Sequence, residues 1–120
     1  MRVDSMKVDL YGSISKSIVE KIREDTIPPI YVNELMKVYL LDIVDSGSYG
    51  IAVKIQDEVY IMYFSVPMSL EEFSSMSTFK QWSRHVIKQS LHQHYKIDEI
   101  VDTLIDSARN GKYVKCVSWK

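Results

Sequence analysis

The sequence predicts an α+β protein: a single antiparallel sheet, with a central three-stranded meander plus N- and C-terminal strands and helices packed on it, in the order β-α-β-β-β-α-α-β. Three observations carry this. Residues 36–66 hold apolar runs punctuated by turn residues, residues 97–108 carry one apolar stripe at helical spacing, and period-two alternation stands near both ends of the chain.

Met6, Val8 and Leu10 alternate with Lys7, Asp9 and Tyr11, as in a half-buried strand. Gly12-Ser13 breaks the alternation, and Ile14, Ile18, Val19 and Ile22 then fall on one helical face. Ser13 is placed to cap that helix, and Pro28-Pro29 cannot continue it. Leu35 to Val44 is almost continuously apolar, which suits a buried strand or a buried helix. A strand at about 36–44 is preferred because a hairpin partner follows. Asp45-Ser46-Gly47-Ser48 is turn material, and Ile51, Val53 and Ile55 alternate with Ala52, Lys54 and Gln56. A tight turn at Gln56-Asp57 leads into Val59 to Val66, apolar on both faces and so suited to a central strand.

Pro67 ends the sheet segment. Ser69-Leu70-Glu71-Glu72 fits a capping box, and Thr78-Phe79-Lys80-Gln81 fits a second, so a short helix and a longer one at about 79–94 are expected. Ile97, Ile100, Val101, Leu104, Ile105 and Ala108 form the apolar stripe of the last helix. Asp98 and Glu99 sit in its first turn, Arg109 in its last, and Asn110-Gly111 stops it. Residues 112–120 read as a closing strand, with Tyr113, Val117 and Trp119 on one side and Val114 and Cys116 on the other.

Length and composition bound the rest. With 120 residues, 46% hydrophobic and 26% charged, the chain reads as one globular domain over 1–120. No stretch has the roughly 20 apolar residues of a membrane span, and none near the N-terminus has signal-peptide length. A lone cysteine, Cys116, makes no internal disulfide, so a reducing, cytoplasmic compartment is expected. Net charge is −1, which draws the chain to neither nucleic acid nor anionic membrane. Alanine occurs only at Ala52 and Ala108, a bias that fits AT-rich coding and hence a phage or other mobile-element source.

Chemistry-bearing patterns are few. His92-Gln93-His94 on a helix would point apart, and His85 and His92 share a face without a Cys or carboxylate to complete a metal site. No metal and no cofactor are expected. Cys116 lies in an alternating strand and reads as a small apolar side chain. Gly47-Ser48-Tyr49-Gly50 lacks the Gly-x-Ser-x-Gly pattern, and Lys54 has no phosphate loop beside it.

The charge pattern of the helices says more. No acid stands between Glu72 and Asp98, and Lys80, Arg84, Lys88 and His92 recur at i, i+4, a basic ridge that is the candidate binding site. The last helix carries the opposite ridge, Asp98, Asp102 and Asp106. The plain reading is that the helices complement each other or that each ridge is solvated. The sharper one is that the basic ridge meets phosphates or an acidic protein surface. Eight tyrosines, two tryptophans and six methionines supply the side chains favoured at protein interfaces. The expectation is therefore a non-enzymatic binding module for another macromolecule, first of all a protein, of the inhibitor, immunity or regulatory kind, with a homodimer possible. The alternative is a nucleic-acid or nucleotide binder using the 80–92 ridge, and a small enzyme without a recognisable motif comes third.

Overall fold

The structure is a computed structural model that describes residues 12–90 and 96–117, with side chains from residue 17 onward. The elements are α1 (Gly12–Arg23), β1 (Tyr31–Val32), β2 (Lys37–Ile43), β3 (Ser48–Ile55), β4 (Glu58–Phe64), α2 (Leu70–Phe73), α3 (Ser77–Ser90), α4 (Ile97–Arg109) and β5 (Val114–Cys116). The fold is α+β. The predicted strand at 6–10 lies outside the described residues.

The predicted meander forms β2, β3 and β4, antiparallel and in unbroken register from Ile43↔Ser48 and from Ile55↔Glu58. Its turns follow from their residues. The amides of Ser46 and Gly47 donate to the Ile43 carbonyl, and Gly47 takes φ +67°, a conformation open to glycine. Gln56 adopts φ +56° in the two-residue turn to β4. Two features were not in the expected order. The short strand β1 pairs antiparallel with the start of β2, and β5 pairs parallel with its end, through Leu41↔Val114 and Ile43↔Cys116. The closing strand was expected in an antiparallel sheet. It runs parallel because α4 carries the chain back across the sheet before β5 begins.

Both faces of the sheet are covered, since alternation along apolar strands gives each face its own core. Val38, Leu40, Ile51, Val53 and Met62 face α2, α3 and α4, where Phe73 stacks on Phe64 and Trp82 at centroid distances of 5.2 and 5.9 Å. Tyr39, Leu41, Ile43, Ala52 and Ile61 face the other way, against Ile18, Val19 and Ile22 of α1 and Ile27 after it.

Ser69 caps α2: its Oγ accepts from the Glu72 amide at 3.1 Å, the first half of a capping box, and its hydroxyl donates to Glu72 Oε1 at 3.2 Å. Thr78 and Ser13 do not occupy caps. α3 already begins at Ser77, and Ser13 is inside α1. In α4, Ile97, Ile100, Val101, Leu104 and Ala108 are buried, while Ile105 is only partly so because it sits at the edge of the stripe.

Candidate interaction surfaces

The basic ridge lies where helical periodicity puts it. Phe79, Trp82, Val86 and Ile87 turn into the core, which leaves Lys80 and Lys88 exposed and Arg84 half-buried on the outer side of α3. His92, with His94, lies outside the described residues. The ridge is not uniformly available. The Arg84 guanidinium (Nη1) donates to Asp98 Oδ1 at the start of α4, which among the described residues is the one contact of the expected complementarity between ridges. Asp102 and Asp106 are exposed, and among the described residues they form no ion pair. Nor do Lys80 and Lys88.

A second surface is the tip of the β1–β2 hairpin. Asn33 organises it: its Oδ1 accepts from the amides of Leu35 at 2.7 Å and Met36 at 2.9 Å, and its own amide donates to the Met36 carbonyl at 3.0 Å. This is the side-chain mimicry of a backbone turn that Asn performs well. Tyr31 ties the tip to α4, since its hydroxyl donates to Glu99 Oε2 at 2.7 Å. While Met36 goes into the core, Val32 and Leu35 remain 58% and 51% exposed. A fixed backbone thus holds two aliphatic side chains out in water. Tyr31 to Glu34 has no hydrophobic period, so nothing in the sequence marked this tip. The Asn33–Leu35 spacing is the only signal that could have found it.

A groove of about 400 Å³ runs between Pro28–Ile30, Ser107 and Lys112–Val114. The phenol of Tyr113 at its wall bonds both oxygens of Glu71 at 3.0 Å and is pushed up to about 12, first by burial and then by that carboxylate. Close by, burial raises Asp42 above the usual carboxylate value, Lys115 opposing and Glu71 adding to the effect. Cys116 borders another recess, and burial pushes its thiol up to about 11 against the opposing charge of Lys21. At neutral pH it is therefore a protonated, apolar side chain rather than a thiolate.

Among the described residues, no three His, Cys, Asp or Glu side chains are grouped to hold a metal ion, and no helix is long and apolar enough to cross a membrane. Comparison of the chain with protein-family models, curated proteins and solved structures finds no match.

Proposed function

We propose that the protein is a non-enzymatic binding module that holds another protein, of the inhibitor, immunity or regulatory kind, and that the β1–β2 hairpin tip makes the contact. The observation that carries this reading is the ordered exposure of Val32 and Leu35. Their backbone is held by the Asn33 turn and the Tyr31–Glu99 bond. Binding costs less when the contacting loop is already ordered, because little conformational entropy remains to be lost. Paired aliphatic side chains on such a loop suit an apolar pocket on a partner.

The second reading, a phosphate-binding ridge, draws support from exposed Lys80 and Lys88. Against it, Arg84 already has a carboxylate partner in Asp98, and two lysines give a small counterion-release term. Affinity capture from the source cell at low and high salt, with and without nuclease, separates the readings. A protein retained at high salt after nuclease treatment supports the first. Loss of every partner under nuclease overturns it in favour of the second.

A further inference from the structure

The last turn of α4 ends in a Schellman motif. The Lys112 amide donates to the Ser107 carbonyl at 2.8 Å and the Gly111 amide to the Ala108 carbonyl at 3.4 Å, with Gly111 at φ +70°. Asn110 is the C-cap, so Ser107 is the third residue before the cap and Lys112 the second after it. The motif commonly brings an apolar contact between those two positions. Here they hold a hydroxyl and an ammonium instead, and both residues line the groove of about 400 Å³.

Among the described residues, the fold uses neither polar group. Ser90 of α3 and Thr103 of α4 donate their hydroxyls to the carbonyls of Val86 and Glu99 one turn earlier, at 2.9 Å each. Ser107 is only 8% exposed, yet its hydroxyl has no such bond among the described residues. Lys112 is exposed and forms no ion pair among them. A hydroxyl held this far from bulk water without a partner forgoes hydrogen bonding that a ligand atom can restore. The remaining walls are apolar, with Pro28, Pro29 and Ile30 on one side and Val114 on the other. Tyr113 also lines the groove, its hydroxyl committed to Glu71. Lys112 is thus the one charged residue among the described residues that line it.

We propose that this groove binds a small monocarboxylate with a compact apolar body. The two oxygens of a carboxylate match two donors, the Lys112 ammonium and the Ser107 hydroxyl, and the hydrocarbon lies against Pro28, Pro29, Ile30 and Val114. The volume falls within the range of pockets that hold small ligands, roughly 300–1,000 Å³. The Schellman bonds fix the backbones of Ser107 and Lys112 relative to each other, and Pro28-Pro29 stiffens the facing wall. Binding therefore orders little beyond the lysine side chain. The site uses neither Val32 nor Leu35 and is independent of the hairpin-tip reading.

NMR titration of the full chain at neutral pH with benzoate, benzamide and benzylamine, which share one ring, tests this. The expected result is saturable shifts of the Ser107, Lys112, Tyr113 and Val114 amides with benzoate, and binding at least about tenfold weaker for the uncharged and cationic probes. Lys112→Met should weaken benzoate about tenfold and leave benzamide unchanged, and Ser107→Ala should weaken benzoate severalfold. Absence of saturable shifts with benzoate, or shifts that map elsewhere, overturns the proposal. So does equal affinity for the probes, or a Lys112→Met variant that binds benzoate like the parent. Lys112 is exposed, so its variant is expected to fold. Should Ser107→Ala fail to fold, Lys112→Met and the probe series on the parent chain decide.

Discussion

Lys54 of β3 closes the end of α1 together with Asp25: the ammonium lies 3.2 Å from Asp25 Oδ1 and 3.1 Å from the Arg23 carbonyl. Its side chain is only 12% exposed, and Lys37, its cross-strand neighbour, bonds the same carboxylate oxygen at 2.9 Å. A cation at a helix C-terminus satisfies carbonyls that have no partner within the helix and complements the dipole. Lys54→Met should therefore lower stability by about 1–3 kcal/mol in denaturant unfolding, with α1 exchanging its amides first. Asp25 is held below its usual value by the bonds from Lys37 and then Lys54. Its contribution is complete above pH 3.8 and is lost as the pH falls through the lower folded value.

Leu104 and Ile105 are neighbours in sequence with different surroundings. Leu104 is fully buried and Ile105 partly exposed. Leu104→Ala should cost about 2–5 kcal/mol and Ile105→Ala clearly less, read as a shift in urea midpoint at constant slope. Equal losses would mean that α4 is rotated from the orientation described.

Asp42 titrates in the opposite sense to Asp25. Its folded value is raised, mainly by burial, so the folded state holds the proton more tightly than the unfolded one. Its cost is full above the raised value and shrinks as the pH falls towards 3.8. Asp42→Asn should raise stability at neutral pH and flatten this part of the stability–pH curve. An unchanged curve in urea titrations from pH 3.5 to 7 (roughly the carboxylate range) would contradict the assignment.

Arg84 and Asp98 leave much of their side chains in water, 41% and 83% exposed. A double-mutant cycle with Arg84→Ala and Asp98→Ala should give a coupling of about 0.2–1 kcal/mol that declines with salt. A larger, salt-insensitive coupling would mean that the pair is shielded from solvent.

Elements with local signals were legible in the sequence. β2, β3 and β4 follow from apolar runs separated by Asp45–Ser48 and Gln56-Asp57, α2 from the Ser69–Glu72 box, and α4 from its stripe. Long-range placement was not legible. Val114 pairs with Leu41 across some seventy residues, and no periodicity records which strand a three-residue segment joins, or in which direction. The ridge was visible as a spacing, but the pairing of Arg84 with Asp98 depends on how α3 meets α4. The exposed hairpin tip follows from one asparagine, whose turn geometry leaves no hydrophobic pattern to read.

The most direct test of the proposed function compares three forms of the full chain in affinity capture from the source cell after nuclease treatment. The forms are the parent, a tip variant with Val32→Asp and Leu35→Asp, and a ridge variant with Lys80→Glu and Lys88→Glu. All three should fold, since the four positions are exposed. The parent and the ridge variant are expected to retain the same protein partner at high salt, and the tip variant to lose it. A partner kept by the tip variant but lost by the ridge variant, or one that disappears with nuclease, would contradict the account.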